Sequence, residues 1–151
     1  FAFDSFRGLP ETDETEDGIF KTGEFNTSKK DFIKIIKKNT NLKIYNYHII
    51  DAFYEKSLTD DLRLKMPKIG MLHIDVDLYS STTCLLKFVK PLLVNGSLIL
   101  FDDWYCFKPG IKQNQGEQKA VKEFLEVNKN IKLLPWKAYS TFGQSFFVEI
   151  Y

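Results

Sequence analysis

Residues 73–82 read HIDVDLYSST, and two aspartates, Asp75 and Asp77, stand one residue apart where the apolar run Ile69 to Ile74 stops. A nearly continuous apolar run of this length is the pattern of a strand buried on both faces of a parallel sheet. A second such run, Ser97 to Phe101, ends on another acidic pair, Asp102-Asp103. Between them, Ser81 to Leu93 is long enough for a helical crossover, and Asn95-Gly96 offers a turn into the second strand. The reading is a βαβ unit. Its two strands run parallel, so both acidic pairs emerge at one sheet edge, the edge where open α/β sheets bind ligands.

Carboxylates gathered there repel one another. At a few ångströms in a partly desolvated site, each pair costs on the order of several kcal/mol unless a cation or proton lies between them. One aspartate at a strand end is ordinarily a cap for the next helix or loop. Two strand ends carrying them together point to a hard divalent metal, and oxygen-only ligands without a histidine or cysteine cluster favour Mg²⁺. His73 lies inside the strand and is expected to be a packed, hydrogen-bonded histidine rather than a ligand, as is His48. Trp104 and Tyr105 either wall a substrate pocket or cover the sheet edge.

Composition sets the frame. The chain has 151 residues, of which 44% are hydrophobic and 15% aromatic, enough for the core of one domain. Its 21 basic and 20 acidic residues nearly cancel, so no field is built for nucleic acid or an anionic membrane, and small solutes are the expected partners. Two cysteines, Cys84 and Cys106, make no disulfide framework, which fits a reducing compartment, and both read as packing residues. No run approaches the ~20 apolar residues of a membrane span. A soluble cytoplasmic protein is the expectation; a homo-oligomer stays open.

Elsewhere the patterns are plain. Phe1-Ala2-Phe3-Asp4 reads as the second half of an apolar strand, as if the chain were a fragment. Gly8-Leu9-Pro10 turns it into an acidic loop, Glu11 to Asp17. Ser28 caps a helix from about Lys29 to Lys38, with Phe32, Ile35 and Ile36 on one face and solvated lysines elsewhere. Leu42 to Ile50 reads as a strand, and Glu55 to Lys65 as a short helix closed by Pro67. Gln118 to Asn128 is helical through Ala120, Val121, Phe124 and Leu125, and two last strands fall at Ile131 to Trp136 and Ser145 to Tyr151.

Four blocks carry a family resemblance: Phe3-Asp4-Ser5-Phe6-Arg7-Gly8-Leu9-Pro10-Glu11, Leu72-His73-Ile74-Asp75-Val76-Asp77-Leu78-Tyr79-Ser80-Ser81-Thr82, Phe101-Asp102-Asp103-Trp104, and Gly116-Glu117-Gln118-Lys119-Ala120-Val121-Lys122-Glu123-Phe124. In this order the chain resembles the macrocin O-methyltransferase family, S-adenosylmethionine-dependent enzymes that methylate sugar hydroxyls. The resemblance implies an α/β fold with the doubly wound, Rossmann-like sheet of class I methyltransferases, and a Mg²⁺ held by Asp75, Asp102 and Asp103. It makes Asp75 the catalytic candidate and assigns Asp4, with its neighbour Ser5, to the cofactor, Asp4 facing the ribose hydroxyls as in dinucleotide folds. The acceptor implied is a small sugar-containing molecule. In such a reaction an acceptor oxygen must stand in line with the sulfonium methyl while water is excluded. A chelated Mg²⁺ would lower the pKa of the attacking hydroxyl. No residue is nominated as general base; Asp77 could orient the site.

The resemblance departs at the front. The family's first strand and glycine-containing loop precede the FDSF block, and nothing precedes it here. That strand would lie between the ones ending at Asp4 and Asp75. The expectation is one methyltransferase domain over 1–151, incomplete at its N-terminus, with the strand supplied by preceding residues or a partner chain. Two other readings stand beside it. A haloacid dehalogenase-type phosphatase also uses Asp-x-Asp and Asp-Asp at strand ends, although Leu78-Tyr79 stands where that family has a small or hydroxyl residue. The other is a non-catalytic binding module or remnant.

Overall fold

A computed structural model gives the structure of residues 1–13, 18–41, 43, 46–107 and 115–151. Residues 14–17 of the expected acidic loop, and 42, 44 and 45 of the expected second strand, lie outside the described residues.

Strand β1 (Ala2–Asp4) is followed by helix α1 (Lys29–Asn39), β2 (Ile49–Asp51), and two short helices, α2 (Tyr54–Ser57) and α3 (Asp60–Lys65). Then come β3 (Ile69–Ile74), α4 (Tyr79–Val89), β4 (Leu93–Phe101), α5 (Gly116–Val127), β5 (Ile131–Tyr139) and β6 (Gly143–Ile150). The strands form two sheets, a parallel pair β1-β2 and a four-stranded sheet ordered β3-β4-β6-β5. Strand β3 pairs parallel with β4 across the α4 crossover, the βαβ unit expected from sequence. Strand β6 inserts antiparallel between β4 and β5.

The core forms on one face of the larger sheet. Ile74, Ile99, Phe101, Phe146 and Val148 pack against Leu85, Leu86, Phe88 and Val89 of α4 and Ala120, Val121 and Phe124 of α5. Both helices bury an apolar stripe at helical spacing, and that burial, at ~25 cal/mol per Å², is what fixes them to the sheet. Asn95-Gly96 is not a turn before β4 but lies within it, at a register shift between Ile69↔Leu93 and Met71↔Leu98. Ser97 Oγ holds the bulge, donating to Ile69 O (2.6 Å) and accepting from the Val94 N–H (2.9 Å).

The opposite face is open. Register pairs Met71 with Leu98, Leu98 with Phe147, and Phe147 with Leu134, an apolar row crossing all four strands. Met71 is 69% exposed and Leu134 44%. The expectation that Ile69 to Ile74 is buried on both faces is therefore corrected: within β3 only Ile74 is fully buried. A one-dimensional apolar run does not reveal whether a second layer covers it. Ile35, expected inside, is 55% exposed, and α1 turns Phe32, Ile33 and Ile36 inward, none fully buried. Ser28 caps α1 as expected, its Oγ accepting from the Asp31 N–H. Among the described residues no helix is long and apolar enough to cross a membrane.

Candidate active site

Strands β1 and β3 end side by side in function though not in ladder: their C-terminal ends open into one cleft of ≈ 550 Å³. Asp4 and Ser5 line one side, Asp75, Asp77, Asp102 and Asp103 the other, and Tyr54 lies between, its phenol pushed up by burial and then by the charges of Asp4 and Asp75. The turn after β1 is built by its own side chains. The Phe6 N–H donates to Asp4 Oδ1 (2.6 Å), the Arg7 N–H to Ser5 Oγ (3.0 Å), and Ser5 Oγ to Gly8 O (2.9 Å). The Ser5 hydroxyl is thus committed to the turn. Gly8 has φ +77°, and a Cβ there would stand 2.4 Å from the carbonyl oxygens of Gly23 and Glu24. This close approach lets the Leu9 N–H reach Glu24 O and brings Ile19, Phe20 and Phe25 to the cleft wall.

On the other side, the parallel pairing of β3 with β4 brings the acids together. Asp75, Asp102 and Asp103 each present a carboxylate oxygen, and these three atoms lie within 4.8 Å of one another. Asp77 takes a left-handed φ of 57°, a conformation Asp tolerates better than most residues, and this turns the fully buried Leu78 into the core at the start of α4.

Crowding shows in proton affinity. Loss of water and then the Asp102 charge raise the Asp75 pKa, although the residue as a whole stays open to solvent. Loss of water, then Asp75 and Asp102, pushes Asp103 up to about 6; loss of water, then Asp103 and Asp75, pushes Asp77 up to about 7. Three oxygen donors that resist sharing negative charge are a fitting set for a hard divalent cation.

His73 is neither packed nor remote. Its side chain is 49% exposed, with Nε2 3.5 Å from Asp102 Oδ1, because the face of β3 it occupies is the open one. His48 is also exposed and stacks on Phe1. Trp104 packs against Phe101 and Phe146, and Tyr105 donates its hydroxyl to Gln144 Oε1, so this pair covers the sheet edge rather than the cleft. Both cysteines are free; the Cys106 thiol lines the cleft and is pushed up to about 12 by loss of water and by Asp103, which leaves it a neutral packing group.

Glu117 escaped the sequence reading. An acidic residue in the first turn of a helix reads as a partner of the helix dipole on the surface. Here it is 1% exposed, its Oε2 accepts the Asp103 N–H (3.1 Å), and burial followed by the Asp103 charge pushes its pKa up to about 9. The signal available was Gly116 directly before it, whose φ of +53° bends the chain inward at that point.

The sheet order, the crossover and the acid-lined cleft define a class I, Rossmann-like methyltransferase fold. The macrocin O-methyltransferase (TylF) family model matches residues 1–136, and the chain belongs to that family. Solved structures agree on the fold: the O-methyltransferase NovP superposes with a TM-score of 0.72 at 18% identity, covering 96% of this chain and 57% of its own. CalS11, a calicheamicin methyltransferase, gives 0.69 at 18% identity over 96% and 58%. SAH-bound PaMTH1 of Podospora anserina gives 0.52 at 14% identity over 82% and 58%. The chain thus spans somewhat over half the length of these structures. A comparison with curated proteins gives no match. Family membership removes the ground for the phosphatase reading.

Proposed function

We propose that this chain forms the metal-binding and ribose-binding half of a Mg²⁺-dependent O-methyltransferase that moves a methyl group from S-adenosylmethionine to a hydroxyl of a sugar or similar vicinal diol. The observation that carries the reading is the convergence of Asp75, Asp102 and Asp103 within 4.8 Å in the cleft that also contains Asp4. Family membership supports the reaction class. NovP is an O-methyltransferase and CalS11 a calicheamicin methyltransferase that acts as a TDP-rhamnose 3'-O-methyltransferase, which supports a sugar acceptor here.

In this reading Asp75, Asp102 and Asp103 hold the Mg²⁺, with Asp75 the catalytic candidate by its place in the family's second motif block. Bound there, the ion supplies positive charge that favours the ionised form of an acceptor hydroxyl. Asp4 accepts hydrogen bonds from the cofactor ribose, and Ser5 serves by fixing the turn that aims Asp4. Ile19, Phe20, Phe25 and Phe142 give the cleft an apolar rim on which an acceptor can rest. The free thiols support a reducing, cytoplasmic setting. The ladders also support a larger domain: among the described residues β1 pairs only with β2 and β3 only with β4, which leaves one edge of each open to a further strand.

Calorimetric titration of the full-length protein with S-adenosylmethionine, with and without Mg²⁺, followed by methyl-transfer assays on nucleotide-linked and free sugars, tests this. Cofactor binding together with Mg²⁺-stimulated transfer to a sugar hydroxyl is expected. Transfer unaffected by EDTA would remove the metal, and absence of cofactor binding would remove the enzyme.

A further inference from the structure

The start of α5 closes on the acidic turn at three consecutive residues. Gly116 approaches so near that a Cβ there would meet the Phe107 ring at 2.6 Å and Asp77 O at 3.6 Å. Glu117 Oε2 accepts the Asp103 N–H at 3.1 Å, and Gln118 Nε2 donates to Trp104 O at 2.5 Å. Glu117 is 1% exposed, and its other oxygen, Oε1, is buried without a hydrogen-bond partner among the described residues. A carboxyl group buried in this way costs the fold stability, and it sits directly behind a residue of the acidic cluster. A leucine of similar size would fill the space without that cost, but it would leave the Asp103 N–H without its acceptor.

We infer that Glu117 is a positioning residue of the metal site: by accepting the Asp103 backbone N–H it fixes the chain where it leaves β4, so that the Asp103 carboxylate is held toward Asp75 and Asp102. This rests on the metal reading above. The acceptor oxygen is the operative feature, because the bond it makes is to a backbone donor with a single direction. Partners that orient a metal's ligands are typically worth about 10–100-fold in metal affinity.

The test is Mn²⁺ binding to the full-length protein, followed by electron paramagnetic resonance, with melting temperatures measured on the same samples. Measured well below the melting transition of every sample, Glu117→Leu is expected to bind Mn²⁺ about 10–100-fold more weakly than the wild type, and Glu117→Gln, which keeps an acceptor oxygen, to stay within about threefold of it. Glu117→Leu binding Mn²⁺ as the wild type does would overturn the inference while leaving the metal site intact. Glu117→Gln as weak as Glu117→Leu would overturn the role of the acceptor. A wild type that binds no Mn²⁺ would remove the metal reading itself, and this role with it.

Discussion

His73 Nε2 stands 3.5 Å from Asp102 Oδ1, both side chains partly in water, at the margin of the acidic cluster and not within it. The distance is beyond a good hydrogen bond, and an exposed pair of this kind contributes at most about 1 kcal/mol. His73→Ala is therefore expected to change Mg²⁺ affinity by less than about fivefold, as read by Mn²⁺ competition. A loss beyond about a hundredfold would place the imidazole among the ligands.

Asp103→Asn separates metal binding from fold stability. It removes one of three carboxylates within 4.8 Å, so affinity for the ion should fall at least about 100-fold. In EDTA the same change relieves repulsion, and the variant should be more stable than the wild type by on the order of 1 kcal/mol. Denaturant titrations with and without Mg²⁺ measure both effects, and a variant less stable than wild type in EDTA would contradict the crowding.

The same crowding predicts a pH dependence for the metal-free protein. Asp103 and Asp77 are held at about 6 and about 7, above their ordinary 3.8, so the folded state keeps protons that the unfolded chain has released. Below about 4 both states are protonated and these groups contribute nothing; as pH rises from 4 through 7, stability is lost. Their contribution makes the EDTA-treated protein melt higher at pH 5 than at pH 8, and Mg²⁺ should erase most of the difference. Melts across that range with both additions decide it.

Asp4→Ala should weaken S-adenosylmethionine binding by about 1.5–3 kcal/mol, the range for a charged hydrogen bond. Asp4 also accepts the Phe6 N–H, so Asp4→Asn is the control that keeps the turn. Unchanged cofactor affinity in Asp4→Ala, by calorimetry, would remove Asp4 from the site.

Gly8→Ala places a Cβ 2.4 Å from two backbone oxygens at a φ of +77°, and neither neighbour is a flexible side-chain end. A cost of at least about 1–2 kcal/mol is expected, with movement of the 23–24 segment. Loss of melting temperature, together with weaker acceptor binding, would be the signature.

What the sequence made legible follows from locality. The β3–α4–β4 unit, the Ser28 cap and the strand-end acids are each written within a short window and each is present, although β4 begins at Leu93 and takes in the expected Asn95-Gly96 turn. The order β4-β6-β5 depends on a long-range pairing, Ile99 with Phe146, that no window contains. The exposure of Met71 and His73 depends on what lies over β3, which an apolar run does not encode. The wall made by Ile19, Phe20 and Phe25 comes from a stretch without periodicity, and is brought in by Gly8. Glu117 drew no role of its own in the sequence, because a carboxylate is seldom buried and nothing local beyond Gly116 marks this one.

The β3–β4 pairing also bears on the order of folding. The hairpin joining Tyr139 to Gly143 closes across three intervening residues, whereas Ile74 meets Phe101 only after the chain between them has wound and docked as α4. Closing the shorter loop costs less entropy, so the β5–β6 ribbon is the natural early nucleus and the parallel pair the slower step. The carboxylates of Asp75 and Asp102 converge through that slower step. Any excursion that parts β3 from β4 would scatter the cluster while leaving the hairpin whole, so an ion held there would act as a clasp against that excursion.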